Sequence, residues 1–266
     1  MHAMLHASMH DAQAVAAFAA DFARDNPGYS LSRIVVEGGA SWSVDTGVAF
    51  HWLVSGSASH DGRELRSGDV LVVDAAHPVA LSGTGVFLRI AVDHGTGGLH
   101  FGARRLSDLP DTSGGCNVSP RAYRRLQIVW QEAEAGDGDN VLGCHVVHME
   151  PAFSRTHYHP DPAIGGGRPQ YEFYLVLDHA EHGLPPCDEP GGVWTCPEPG
   201  AWDQLSRTTL RPGDIVGIRA PMPHRGDNVL ACVIAIPGFK PQNELYLDAQ
   251  IAADTGGNAP HNPSFG

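Results

Sequence analysis

The stretch LRPGDIVGIRAPMPHRGDN, residues 210–228, decides how the rest of the chain is read. It opens on Leu-Arg-Pro-Gly-Asp, whose Pro212 and Gly213 favour a tight turn, and runs directly into the β-branched Ile215 and Val216 of a strand. Residues 65–81, LRSGDVLVVDAAHPVAL, begin the same way. Ahead of each turn stands a second matching pair, AFHWLVSG at 49–56 and EFYLVLDH at 172–179. Two copies of one β unit account for these pairs better than a single continuous sheet.

Outward from the repeat, short β-branched and aromatic runs alternate with turn residues, as 32 glycines and 20 prolines encourage. Strands are expected near 32–37, 41–45, 48–54, 63–66, 70–74 and 86–92. A second set is expected near 125–131, 141–149, 154–159, 171–178, 192–195, 206–210, 214–218 and 229–236. The fold class is all-β, a sandwich or barrel repeated. One helix precedes the strands: DAQAVAAFAADFARDN, 11–26, with Asp11 as N-cap, Val15, Phe18 and Phe22 on one face, and Pro27-Gly28 as the stop. The division is an N-terminal helical arm (1–29), a first barrel (30–93), a connection (94–121), a second barrel (122–240) and a tail (241–266). His2, His6 and His10 have helical spacing, but a frayed, solvated terminus is expected there, and the tail is expected to fray at its end.

The formal charge of −13 disfavours nucleic acid and anionic membranes as partners. No apolar run reaches the ~20 residues that span a bilayer, and the first residues lack the pattern of a signal peptide. Five cysteines without CxxC spacing point to a reducing, cytoplasmic setting, with a Cys187–Cys196 pair across a loop as the alternative.

The chemistry concentrates in THYHPDPAIGGGRPQYEFYLVL, residues 156–177. An HxH pair is weak by itself, since 16 histidines give roughly one by chance. On a strand, however, alternate side chains share a face, so His157 and His159 project together. Glu172 enters a neighbouring strand, and His224 follows the second Gly-Asp turn. Three imidazoles and a carboxylate suit a divalent transition metal with positions left for water or substrate.

Here the chain resembles the cupin superfamily. THYH followed by a strand glutamate, and PGDIVGIRAPMPHRGDN with Gly213, His224 and Asn228, match that family's two signatures. The loop between His159 and Glu172 is longer than usual, and the APMP run replaces the glycine ahead of the second-motif histidine. The resemblance implies two double-stranded β-helix (jelly-roll) barrels and the metal ligands His157, His159, Glu172 and His224, with Asp161 as an alternative to Glu172. The metal would be iron, manganese, nickel, zinc or copper. In the first half, Val79 stands where the second has His224, Ala49 stands for Glu172, and His51 and His77 sit off register. That barrel is expected to lack metal and to serve as support or as the contact of a homodimer.

From Glu172 to Gly213 is 41 residues, against 19 from Ala49 to Gly68. The insert, 179–204, carries His179, His182, Trp194 and Trp202 and would form a lid, a pocket wall or a cover for a sheet face. Arg155, Arg219, Arg225 and Lys240 are candidates for orienting an anionic substrate. The resemblance extends to cupin sugar isomerases, some of which pair a degenerate half with a metal-bearing one. The first expectation is a metal-dependent isomerase of a sugar or sugar acid, with Glu172, Tyr158 and Tyr174 as proton-transfer candidates. The alternatives are a cupin dioxygenase using O₂ and a non-catalytic binder of a small ligand.

Overall fold

The computed structural model describes residues 4–94, 100–109, 127–130, 141–149, 154–164, 167–184, 189–238 and 243–255. The chain opens with β1 (Leu5–Ser8) and α1 (Ala12–Asp25). The first half continues with β2 (Tyr29–Val36), β3 (Ala40–Trp42), β4 (Val48–His60), β5 (Arg63–Glu64), β6 (Val70–Val73), β7 (Val79–Val92) and β8 (Gly102–Arg104). The second begins with β9 (Gln127–Trp130), β10 (Gly143–Met149), β11 (His157–Tyr158), β12 (Tyr171–Val176) and β13 (Gly192–Thr195). It ends with β14 (Ser206–Thr209), β15 (Asp214–Ile218), β16 (His224–Asp227), β17 (Val229–Ile236), β18 (Leu245–Tyr246) and α2 (Asp248–Thr255). The chain is thus mostly β-sheet, as the sequence leads one to expect. Strand pairing among the described residues leaves each sheet open at its edges. None of the described helices is long and apolar enough to cross a membrane.

The internal repeat is visible in strand order and register. The first half is ordered β2-β7-β4-β6-β8, and the main sheet of the second β9-β10-β17-β12-β15-β1. Ala49 lies between Val73 and Ala91; Glu172 lies between Ile218 and Ala235. Gly68 and Gly213 take φ of +86° and +83°, the left-handed region that the turn requires and that glycine adopts freely. In each turn the aspartate accepts from the amide three residues back, Asp69 from Arg66 and Asp214 from Arg211, both at 2.9 Å. The second half adds a facing sheet, β14-β13-β16-β11-β18. In the first half the far ends of the long strands β4 and β7 perform that role with β3 and β5. Trp42 opposes Val79 there as His157 opposes His224. Counted along these registers, His157, His159, Glu172 and His224 correspond to Trp42, Val44, Ala49 and Val79. All four of the latter belong to one apolar cluster with Leu53, Leu71 and Phe87.

The largest core lies between the halves. Phe50, Trp52, Leu88 and Ile90 on the outer face of β4 and β7 meet Phe173, Leu175, Ile215 and Ile234 on the outer face of the second sheet. The helix α1 seals this seam with Val15, Phe18 and Phe22, the three residues that its periodicity selects. Phe18 and Phe22 meet Phe173 edge-on, with ring centroids 5.7 and 6.2 Å apart. Asp11 caps the helix, accepting from the amides of Gln13 and Ala14. Asp11→Ala should cost about 1 kcal/mol, measured as a lower midpoint in thermal unfolding with unchanged β-sheet circular dichroism.

Several expectations change. Residues 5–8 do not fray: β1 extends the second half's sheet along β15, and His6 Nε2 meets Asp214 Oδ2 at 3.1 Å. Four residues are too few to show strand alternation, so only the vacant edge of β15 reveals the strand. The tail forms β18 and α2, and its end, from residue 256 on, lies outside the described residues. Cys196 is a buried free thiol donating to the Glu198 and Ala201 carbonyls. Its proposed partner Cys187 lies outside the described residues, as do Cys116, Lys240, His2 and most of the connection 94–121.

Candidate metal centre

The strand β11 is short, but it is clamped on both edges. His157 stands opposite His224 of β16 on one side and Tyr246 of β18 on the other. At the end of β11 the backbone of Thr156 bonds to Leu247 and to the Asp248 carboxylate at the start of α2, at 2.9 and 3.1 Å. Alternation brings His159 to the face of His157, and β12 delivers Glu172 from the other sheet. The four donor atoms of His157, His159, Glu172 and His224 all lie within 4.8 Å of one another. His159 Nε2 is 2.6 Å from Glu172 Oε2, His157 Nε2 3.7 Å from the same oxygen, and His224 Nε2 3.4 Å from Oε1.

What aims the nitrogens is the backbone. His157 Nδ1 donates to the Arg155 carbonyl at 3.2 Å, His159 Nδ1 to the Asn243 carbonyl at 3.0 Å, and His224 Nδ1 to the Met222 carbonyl at 3.0 Å. A carbonyl only accepts, so each Nδ1 carries hydrogen and each Nε2 is turned inward, where it can donate to Glu172 or, once deprotonated, offer its lone pair to a cation. His224 is fully buried and its Nε2 makes no hydrogen bond. Three inward Nε2 atoms around a buried carboxylate form a donor set that could hold a cation. Ligands at about 2.1 Å from one ion stand at most about 4.2 Å apart, so a contraction of a few tenths of an ångström per side chain suffices. The residues fit a divalent transition metal.

The electrostatics agree. Burial alone would raise Glu172, yet His224, His157 and His159 together hold its carboxyl well below the usual range. Burial would lower His157, but Glu172 and Glu244 overcome it and push the imidazole up to about 9. His224 is lowered by burial and then by the neighbouring His157. The carboxylate thus demands a positive charge beside it, which a proton on His157 supplies and which a bound cation would supply in its place.

The remaining candidates disperse. Tyr174, buried two residues along β12, has its ring centroid 6.4 Å from that of His224. Tyr158 faces the other way, as alternation on β11 requires, and packs with Trp202, Leu247 and Ile251. Asp161 lines a separate cleft with Asp25, Arg168 and Arg219, so Glu172 rather than Asp161 joins the histidines. Arg219 is paired with Asp25 of α1, and Arg225 is buried beside the strand partner Trp194. Arg155 lies at the cluster's edge, its guanidinium carbon 5.2 Å from the centre of the Tyr246 ring. The insert is a wall: β13 is integral to the facing sheet, and Trp202 anchors α2 through Asp254 at 2.9 Å.

Two residues of the site escaped the sequence reading. Asn243 is buried; its carbonyl orients His159 and its side chain accepts from the Ile164 amide at 2.9 Å. Glu244 places Oε1 3.7 Å from His157 Nε2 and keeps partial solvent exposure. The faint signal was the apolar alternation of NELYL within the tail.

No family model matches the chain, and no curated protein matches it in sequence. Solved structures do match. The oxalate decarboxylase of Bacillus subtilis, in work on its Mn(II) centres, superposes with a TM-score of 0.53 at 11% identity, over 94% of this chain and 76% of that one. The formate complex of the Lactobacillus farciminis oxalate decarboxylase gives 0.51 at 10% identity, over 85% and 81%. The fold is the cupin fold. At such identity the likeness extends to architecture alone, so the activity of this chain is argued from its own side chains.

Proposed function

We propose that this cupin is a metal-dependent enzyme acting on a small polar metabolite, in the first instance isomerising a sugar or sugar acid. The observation that carries the proposal is the convergence of three carbonyl-tethered imidazoles on Glu172. His157, His159, Glu172 and His224 would hold one divalent ion, which when bound supplies Lewis-acid polarisation of a carbonyl and its neighbouring hydroxyl. Solved relatives in fold include a Mn(II) protein, which is consistent with manganese among the candidates.

Proton transfer then falls to the chain. Glu172 is engaged by three histidines and is a ligand rather than a base. Glu244 is better placed: it borders the cluster at His157 and stays partly exposed, so it can take a proton from a bound substrate and exchange it with solvent. Arg155, held over Tyr246, offers a charge-assisted contact to a substrate carboxylate. Tyr174 closes the floor beside His224. The first half, with Trp42, Val44, Ala49 and Val79 at the ligand positions, is read as a metal-free barrel that buttresses the second, and a homodimer remains part of the proposal.

The test is solvent exchange. Metal-loaded protein incubated with sugars and sugar acids in D₂O should place deuterium on substrate carbon without consuming O₂, and Glu244→Gln should lower that rate at least about 100-fold while retaining metal. Oxygen consumption would instead establish the dioxygenase alternative. Ligand-dependent thermal shifts with neither reaction would establish a binder.

A further inference from the structure

The first half differs from the second in more than its lost ligands. Along the inner face of β4, His51 opposes Arg89 of β7; at the same register Tyr174 opposes Val233 in the second half. A cationic side chain thus stands inside the half whose metal ligands are replaced by apolar groups. The two substitutions lie on one face: Ala91, two residues beyond Arg89, is the neighbour of Ala49.

Arg89 lines a cleft of about 570 Å³ with Tyr29, Ser30, Ser43, Val44, Asp45, Thr46 and Asp93 among its walls. The guanidinium is half-buried and has no hydrogen-bond or ion-pair partner among the described residues. Burial weighs against its charge, lowering its pKa, and no ion pair with a described residue offsets that. Behind it, the buried His51 stacks on Trp42 with ring centroids 4.1 Å apart and 11° between planes, and its Nδ1 has no hydrogen-bond partner. At the rim, Asp93 is engaged by His94 at 2.7 Å, whereas the exposed Asp45 is open to a ligand.

From this arrangement we infer that the first half is a second ligand site, which binds a small hydroxylated monocarboxylate with its carboxylate on Arg89. A carboxylate gives the guanidinium the paired acceptor that the protein withholds. Hydroxyls on the ligand answer Ser30, Ser43, Thr46 and the Asp45 carboxylate, which accepts from them. Asp45 and Asp93 repel additional negative charge, so a single carboxylate is preferred over a polyanion. The guanidinium provides as a fixed group the positive charge that the second half is arranged to take from a metal. The inference does not depend on the activity proposed for that second half.

Gluconate is the probe, with citrate and glucose as comparisons, measured by titration calorimetry on the full chain. His157→Ala forms the background, to remove binding at the metal centre. Saturable gluconate binding should persist in that background and weaken at least tenfold in Arg89→Gln, with partial recovery in Arg89→Lys. Ser43→Trp, at an exposed loop position, should weaken binding by filling the cleft. It carries the test if Arg89→Gln fails to give folded protein by circular dichroism. Glucose and citrate should each bind at least tenfold more weakly than gluconate. No saturable gluconate binding in the His157→Ala background overturns the inference. So does binding that Ser43→Trp and Arg89→Gln leave unchanged, or a preference for citrate or glucose.

Discussion

A chain carrying His224→Ala should lose bound transition metal, falling from about one ion per chain to less than a tenth after gel filtration, as read by elemental mass spectrometry. His224 contributes an Nε2 that is buried, aimed by the Met222 carbonyl and otherwise without a hydrogen bond. Removal of a group that only orients a ligand already lowers metal affinity 10–100-fold, so loss of the ligand itself should exceed about 100-fold. Glu172→Gln should act comparably by another route: it keeps the shape but removes the negative charge that three imidazoles surround. His77→Ala is the control, since His77 is exposed in the first half and bonded to Asp74. Full metal occupancy in both His224→Ala and Glu172→Gln would remove the centre from consideration, and the enzymatic proposal with it.

The ligand set was legible because each of its parts is local. The HxH alternation is a property of two residues on a strand. The spacing of eleven residues from Gly213 to His224, transferred to Gly68, falls on Val79, and the registers of β3 with β7 and of β11 with β16 place those two residues alike. Glu172 needed only the neighbouring strand. Asn243 and Glu244 were not legible, because their role depends on pairing across 84 residues, between His159 and Asn243, which no periodicity encodes. The same holds for β1, whose four residues become a strand only because β15 presents an open edge. Tyr158 packs away from the cluster for a physical reason: the alternation that unites His157 with His159 turns the residue between them to the other side. In the first half, the sequence shows apolar residues at the corresponding positions, but only the register of β4 against β7 reveals that Arg89 and His51 face one another.

That facing pair makes a second large effect accessible, this one on stability. Burial, and then the charge of Arg89, lower His51 from 6.5 to about 3, while a backbone hydrogen bond to Leu71 opposes them only in part. Above pH 6.5 neither folded nor unfolded chain holds a proton on residue 51, and the residue contributes no pH dependence. As pH falls from 6.5 towards 3 the unfolded chain gains a proton that the folded chain refuses, so stability falls across that window and this contribution levels off below it. The slope attributable to one such group approaches about 1.4 kcal/mol per pH unit, which accumulates to several kcal/mol over the window. His51→Phe retains an aromatic ring against Trp42 and abolishes the titration. Its unfolding free energy from urea melts between pH 7 and 3.5 should fall less steeply than that of the parent by up to this amount. The slope that remains comes from the other shifted groups, among them His145 and His148, each lowered to about 4 chiefly by burial, and the Glu172 carboxyl. Since the readout is a difference in slope, any constant cost of the substitution, including the lost contact to Leu71, cancels. Parallel profiles would mean that His51 titrates alike in the folded and unfolded chains, and so is not the buried neutral imidazole beside Arg89 that the registers place there.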